Sequence, residues 1–476
     1  MTRHFPLMYA DASSNGADLE VRAPYDGALI ATAATADAEA AEAALTTAHG
    51  LFRDRDAWLK PGRRLEILER AAGIMESRAE DLALEAAREG GKPLIDSRVE
   101  VARAIDGVKL CVEGLRTQHG SEIPMDLNAS SAGRLAFTRF EPIGVVVAVS
   151  AFNHPLNLIV HQVAPGIAAG CPVIVKPANV TTLSCLRFVE ILREAGLPGA
   201  WCQAGPTASR QVGEQLVTDR RVGFFSFIGS AAVGWGLRSK LAPGTRCALE
   251  HGGAAPVIVA ADADLDDVIP LLAKGGFYHA GQVCVSVQRV FVQEALAREV
   301  ARRLAEIADR LVVGDPTKPE TEVGPLIRHS EVERVHQWVS EAVDGGAELV
   351  CGGGAISESC YRCTVLYDPP DDALVSTKEI FGPVICVYSC PHIDDAIRRA
   401  NALPYAFQAA VCTRDLDTAL KAARRLDASA VMVNDHSAFR VDWMPFAGLG
   451  ESGHGVGGIH HTMRDMQIEK MMVVRS

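Results

Sequence analysis

Apolar residues recur at helical spacing over 37–49 and again over 61–88, in stretches dominated by Ala, Glu, Leu and Arg, which predicts amphipathic surface helices. Gly90-Gly91-Lys92-Pro93 interrupts that pattern, and it resumes over 97–116 as one long helix carrying Arg98, Arg103, Lys109 and Arg116. Ahead of these helices the chain is irregular, with a turn at Ala23-Pro24-Tyr25-Asp26-Gly27 and a short apolar strand over 28–31. From Gly144 the period changes. Val145-Val146-Val147-Ala148-Val149 and Pro172-Val173-Ile174-Val175 are unbroken apolar runs, as parallel strands covered on both faces require. Helical stretches over 155–169, 183–195 and 209–216 alternate with such strands, the last of them over 222–227. This βαβ series predicts a doubly wound nucleotide-binding sheet. The second half repeats the pattern with strand 257–259, helix 265–274, strand 289–292 and helix 296–311. Two partly alternating segments, 134–141 and 467–474, read as half-exposed strands that would form an arm pairing with another subunit.

At 476 residues the chain exceeds what one core usually serves, so two or three domains are expected. A hydrophobic share of 48% and a charged share of 22% are ordinary for a globular protein. The net charge of −12 provides no general attraction to nucleic acid or an anionic membrane, and neither partner is expected. The 12 cysteines are scattered, with no HExxH or His-rich tract and no secretory leader pattern, and they read as reduced thiols of a cytoplasmic protein without a metal centre. No apolar run of about 18 residues suggests a membrane span.

Candidate chemistry centres on Cys284, in Gly281-Gln282-Val283-Cys284, where small residues let a thiol stand clear of its backbone. A cysteine attacks as thiolate and so needs a base or a positive field. Glu250, in Leu249-Glu250-His251-Gly252-Gly253, is the candidate base, followed by glycines that allow close backbone approach. Asn153, in Ala151-Phe152-Asn153-His154-Pro155, would stabilise an oxyanion together with the backbone amide at the nucleophile. The GxGxxG fingerprint is absent. In its place Gly229 and Ser230 could present backbone amides to a pyrophosphate at a helix start, with Lys176 at a strand end and Gly213 closing the same crevice. Glu379 and Phe381, in Lys378-Glu379-Ile380-Phe381-Gly382-Pro383, add a second carboxylate and a ring. Each piece also has a plainer reading: a small core cysteine, a helix-capping Asn, a structural turn, a loop anchored by a buried Phe.

Taken together and in this order, these residues resemble the aldehyde dehydrogenase superfamily along essentially the whole chain, with Pro445-Phe446-Ala447-Gly448 and Ser452-Gly453 matching the motif before the closing strand. The resemblance implies an α/β fold with a Rossmann-like cofactor domain over 1–120 and 142–251 and an α/β catalytic domain over 252–448. A small β oligomerisation arm over 121–141 and 459–476 would complete it, in a homodimer or homotetramer. It implies Cys284 as catalytic thiol, Glu250 as general base and Asn153 as oxyanion donor. Lys176, Asn179, Gly213, Gly229, Ser230, Val233, Glu379 and Phe381 would bind NAD or NADP, with Glu379 on a ribose. An aldehyde would be oxidised to its carboxylic acid through a thiohemiacetal and a thioester that water hydrolyses. The alternatives are a CoA-acylating enzyme and a catalytically silent nucleotide-binding structural protein.

The chain departs from the family pattern at His251, where a Leu is usual, and at Ala254, where Lys or Asn is common. Asn179 stands where NAD-preferring members carry Glu, which removes repulsion against a 2′-phosphate and makes NADP+ or dual use an expectation. The implied substrate tunnel holds Arg103, His154, His161, Ser286 and the run 434–443 with Phe439 and Arg440. Two arginines and two histidines suit a small polar or anionic aldehyde. The pattern is similar to the branch acting on phosphonoacetaldehyde, lactaldehyde, glyceraldehyde phosphate and succinate semialdehyde, although Val283 replaces an Arg that some anion-binding members place there. The alternative for Arg103 and Arg440 is a pair of interdomain salt bridges.

Overall fold

A computed structural model of the chain describes residues 3–10, 12 and 16–475. The apolar runs form two largely parallel sheets. In the first, Val145–Val149 lies at the centre between Val222–Ile228 and Val173–Lys176, with Arg246–Glu250 and Cys202–Ala204 outside them, all parallel. Its central residues Val145 to Ala148 are fully buried, because helices cover both faces. The second sheet has seven strands, ordered Glu348–Cys351, Thr364–Tyr367, Val384–Cys390, Arg289–Gln293, Pro256–Val259, Gln408–Cys412 and Ala430–Val433; only the first runs antiparallel to its neighbour. The third unit is the arm. Gln467–Arg475 pairs antiparallel with Arg134–Pro142 over nine successive partners, and Glu122–Ile123 lies on the other side.

The N-terminal helical layer is tied to the first sheet by buried carboxylates. Glu100, on helix Leu94–Thr117, accepts from the amides of Leu156 and Asn157 at 2.9 and 3.0 Å, satisfying the start of helix Asn157–Ala169. Its other oxygen takes Lys92 Nζ at 2.5 Å, and neither side chain of that pair is exposed. Glu89 does the same for helix Leu183–Glu194, accepting from the amides of Leu183 and Ser184 at 2.7 and 2.8 Å. First-turn amides have no partner within their own helix, so these carboxylates supply what the local sequence lacks.

Several expectations change. The helical stretch over 61–88 is two helices, Pro61–Ser77 and Ala79–Gly90, parted at Arg78. The strands of the second sheet that follow residue 313 had no distinct signal in the sequence. Residues 459–465, assigned to the arm from the resemblance, instead form helix Ile459–Asp465, whose Ile459 and Met463 enter the core beside Leu94–Thr117 and Asn157–Ala169. The strand of the arm begins only at Gln467. Cys360 and Cys363, with two residues between them, form a Cys-x-x-Cys spacing that contradicts the reading of the cysteines as scattered; both are buried free thiols. Among the described residues no cluster could hold a metal ion, and no helix is long and apolar enough to cross a membrane.

Candidate active site

Strands Val145–Val149, Val222–Ile228 and Arg246–Glu250 all end at one crevice, where a cavity of about 760 Å³ runs between the two large sheets. Open parallel sheets bind ligands at the carboxyl ends of their strands. Asn153, Gly229, Ser230, Glu250, Cys284 and Glu379 all line this one cavity.

The thiol is positioned by a left-handed turn. Helix Leu265–Phe277 runs into Tyr278–Gly281, where His279, Ala280 and Gly281 have φ of 48°, 52° and 69°. Such angles are costly outside glycine and persist only where the surroundings hold them. A side chain at 281 would meet Gly382 O at 2.0 Å, so glycine is required there. Gln282 fixes the loop: its side chain donates to Pro325 O at 3.2 Å and accepts from Ile327 N at 3.0 Å. Cys284 then sits in a turn closed by Ser286 N donating to Val283 O, with Ser437 Oγ donating to Val285 O at 2.9 Å. Asn153 Nδ2 donates to Gln282 O at 2.9 Å, which holds its amide two residues from the thiol. Burial pushes the Cys284 thiol up to about 12, against the opposing charge of Arg440, so the resting group is the protonated thiol.

The candidate base stands in a notch. Glu250 forms none of the ion pairs or hydrogen bonds found among the described side chains, and burial raises its carboxyl above the ordinary range with Arg440 opposing. Its Oε1 lies where a side chain on residue 457 would begin: a Cβ on Gly457 would be 2.1 Å away. Glu379 faces the same crevice from the second sheet. Gly253 N donates to its Oε1 at 3.3 Å, a Cβ at Gly252 would collide with its carboxyl at 1.8 Å, and burial raises it to about 8. Phe381, at φ 48°, packs edge-on to Phe152 with ring centroids 5.8 Å apart.

The residues fit a nicotinamide dinucleotide. Helix Ala231–Arg238 begins at Ser230 without a side-chain cap, leaving its first amides free toward the cavity beside Gly229 and Val233. Lys176 Nζ donates to Pro177 O and to Asn179 Oδ1, at 3.0 and 3.2 Å, and has no carboxylate partner among the described residues; burial lowers it to about 8. Gly213 faces its side chain, a Cβ there coming to 3.8 Å. These three lie beyond the cavity wall itself, next to Ala178, which lines it. His251 is buried between the rings of Trp235 and Phe227, with Nδ1 3.0 Å from Glu451 O, and fits only because residue 234 is glycine.

The substrate end differs from expectation. Arg103 lines the cavity, as expected, but is not free: its Nε and Nη2 bind Asp442 at 3.0 and 2.7 Å, a salt bridge of the kind that was the alternative for it. His161 lies behind the cavity wall with Nε2 2.7 Å from the same carboxylate, and Asn157 Nδ2 reaches it at 3.3 Å. Burial opposes ionisation of Asp442, but the bonds from His161 and Arg103 hold its carboxyl well below the usual range. Burial depresses His161 to about 4, so its ring is neutral. Ser286 is also absent from the wall, its hydroxyl bonding Gly275 O at 3.2 Å. Arg440, Phe439 and His154 do line the cavity, His154 Nε2 lying 3.3 Å from Tyr278 OH. Asp442, Tyr278, Asn157 and Gly457 were not singled out in the sequence; Asp442 stood in the run 434–443, where an acid between arginine-bearing segments was the available signal.

The family model described as Aldehyde dehydrogenase family matches residues 9–472. The chain is 39% identical over 414 residues to the 3-sulfolactaldehyde dehydrogenase of Priestia aryabhattai, covering 87% of this chain and 86% of that one. Aldehyde dehydrogenase 21 from Physcomitrella patens, solved in complex with the reaction product succinate, superposes with a TM-score of 0.95 at 33% identity, over 100% of this chain and 99% of that one. Glyceraldehyde-3-phosphate dehydrogenase from Methanocaldococcus jannaschii, complexed with NADP, gives 0.92 at 34% identity, over 97% and 100%. With a family match spanning nearly its whole length and a shared fold along all of it, the chain belongs to the aldehyde dehydrogenase family and is an NAD(P)-dependent oxidoreductase.

Proposed function

We propose that Cys284 is the nucleophile of a hydrolytic oxidation that converts a small polar or anionic aldehyde to its carboxylate, with Asn153 and Glu250 as its partners. The observation that carries this reading is the meeting of the three at one cavity, with the Asn153 amide tethered to the backbone of the nucleophile loop. The sulfur adds to the aldehyde carbon as its proton passes to solvent water. The second N–H of the Asn153 amide and the backbone N–H of Cys284 stabilise the oxyanion. Lys176, Ser230 and Glu379 would hold the dinucleotide, which when bound supplies the hydride acceptor. Glu250 takes a proton from the water that attacks the thioester carbon, and the carboxylate product leaves as the thiol reforms.

Support for an anionic or polar substrate comes from Arg440 at the cavity wall, and from relatives named for 3-sulfolactaldehyde or holding succinate. Asn179 beside Lys176 places no carboxylate against a 2′-phosphate, which favours NADP+ or dual use. The arm over 121–141 and 467–475 presents Met471, Met472, Val473 and Val474 about half exposed, a face suited to pairing in a homodimer or homotetramer. Residues 1–120 with 142–251 are the cofactor domain and 252–448 the catalytic domain. We place the enzyme in the cytoplasm on its reduced cysteines.

The test is reduced-cofactor formation over anionic, polar and aromatic aldehydes with each dinucleotide, with Cys284→Ala as control and product analysis with and without CoA. Carboxylate formation that needs Cys284 and is indifferent to CoA supports the reading. Acyl-CoA formation, or turnover that survives Cys284→Ala, overturns it.

A further inference from the structure

Phe446 brings the nucleophile loop, the candidate base and a cation to one place. Its ring belongs to the apolar cluster of Val283 and Val285, the residues on either side of Cys284. Its backbone pairs with Gly457: Phe446 N donates to Gly457 O at 3.0 Å, and Gly457 N to Phe446 O at 2.7 Å. Gly457 in turn forms the notch that receives Glu250. On the ring face lies Arg440, its guanidinium carbon 3.6 Å from the centroid. Phe446, Arg440, Cys284 and Glu250 all line the cavity, so one side chain fixes thiol, carboxyl and guanidinium relative to each other.

Arg440 is held there without a counter-ion. It forms none of the ion pairs among the described residues, and its Nε is buried without a hydrogen-bond partner. Asp442, two positions on, is bound instead to Arg103, Asn157 and His161. His161 gives Nε2–H to that carboxylate, which leaves the lone pair of Nδ1 for Arg440 Nη2 at 3.4 Å. An aromatic face below and a neutral imidazole beside it orient the guanidinium and leave its charge intact. Lys274 and Arg328 line the same cavity, but their surroundings differ. Lys274 acts on Asp96 and His436, and Arg328 precedes helix His329–Asp344, whose Arg334 acts on Glu379. Arg440 is the cation that opposes the effect of burial at both Cys284 and Glu250. The acids Glu250 and Glu379 face the thiol and work against it, while Arg103 and Asp442, of opposite sign, stand behind Arg440.

We propose that Arg440 serves the reaction itself, whatever the charge of the aldehyde: its guanidinium stabilises the Cys284 sulfur as attacking and as leaving thiolate, and keeps Glu250 a carboxylate able to take a proton from water. An anion in a desolvated site gains far more from a nearby cation than the same pair would in water. Arg440 acts through Cys284 and Glu250, and His161 acts through Arg440. Both are positioning residues, and neither makes or breaks a bond. The inference rests on the reading of Cys284 as nucleophile and Glu250 as base.

The experiment uses uncharged aldehydes, lactaldehyde and propanal, so that pairing of a substrate anion with Arg440 does not enter. It compares the wild type with Arg440→Gln, Arg440→Lys and His161→Phe, each first shown by fluorescence titration to bind the dinucleotide. Arg440→Gln should lower kcat by about 10- to 100-fold with KM changed less than about threefold, and should slow both the burst and the steady state of reduced cofactor. The pH at which the burst rate is half-maximal should move upward, because the thiolate has lost its cation. Arg440→Lys keeps the charge and should recover most of the loss. His161→Phe frees the guanidinium without changing its charge and should cost about three- to tenfold in kcat. His161 lies behind the cavity wall, so this arm alters no group that lines the cavity and stands even where Arg440→Gln does not fold. Turnover kept within about twofold in either variant, equal losses for Gln and Lys at 440, or an unmoved burst profile overturns the proposal. So does a wild type that oxidises anionic aldehydes and no uncharged one. If no aldehyde is oxidised, or oxidation survives Cys284→Ala, the reading of Cys284 as nucleophile falls instead.

Discussion

Gly457→Ala isolates the general base without touching it. The backbone at 457 is not left-handed, so alanine meets no conformational penalty there. Its Cβ would lie 2.1 Å from Glu250 Oε1 and 3.0 Å from Phe446 O. The second contact is tight but relaxes by tenths of an ångström. The first falls more than about 1 Å short of van der Waals separation, so the carboxylate must leave its notch. Displacing a catalytic group by about 1 Å costs on the order of 10²-fold, within the roughly 10²- to 10⁴-fold that a general base contributes. The expected loss is therefore about 10²-fold in the hydrolytic step, or about 2.7 kcal/mol of barrier. Stopped-flow measurement of reduced cofactor should show a burst of about one equivalent per site followed by a slow steady state, because acylation precedes the work of Glu250. Adding Gly457→Ala to Glu250→Gln should cost less than about twofold more, since both changes act on one group. Unchanged turnover in Gly457→Ala, a lost burst, or additive effects in the double variant would refute the assignment of this notch to the base.

Further outcomes follow from the same geometry. Inactivation by iodoacetamide should accelerate with rising pH and not level off near pH 9, because the thiol is pushed up to about 12; Arg440→Ala removes the charge opposing that shift and should slow the reaction at every pH in the range. Gly252→Ala would drive Glu379 from its seat at 1.8 Å, and should weaken dinucleotide binding by about 10- to 100-fold, read by fluorescence titration at unchanged thermal stability. Lys92→Met leaves Glu100 buried without its cation and should cost about 3–5 kcal/mol in urea unfolding; a loss under about 1 kcal/mol would show that the pair is not what ties these helices.

What could be read from the sequence follows from how far each signal reaches along the chain. Val145–Val149 and Val173–Lys176 announce themselves because strands covered on both faces carry unbroken apolar runs. Thr364–Tyr367 and Gln408–Cys412 are as buried and of the same lengths, but Thr and Gln stand at their starts with glycine or proline nearby, and they look like loop. Cys284, Glu250 and Asn153 stand out because each sits in a local motif that marks it. Asp442 does not, since its meaning lies in partners 339 and 281 positions away, and only the packing of Leu94–Thr117 on Asn157–Ala169 brings Arg103 and His161 to it. The same pairing explains why Arg103 looked like a free ligand: its charge was visible and its neutralisation was not. Gly457 read as one glycine of a rich tail, and its role as a notch emerges only where the Arg246–Glu250 strand sets a carboxylate against it.

The most direct test of the account is to trap the acyl-enzyme. Glu250→Gln enzyme mixed with dinucleotide and a carboxylate-bearing aldehyde should gain the mass of one acyl group per chain, and proteolytic mapping should place it on the peptide containing Cys284 as one equivalent of reduced cofactor appears. An adduct on another residue, or reduced cofactor released continuously with no adduct, would contradict the assignment of Cys284 as nucleophile and Glu250 as the base that frees it.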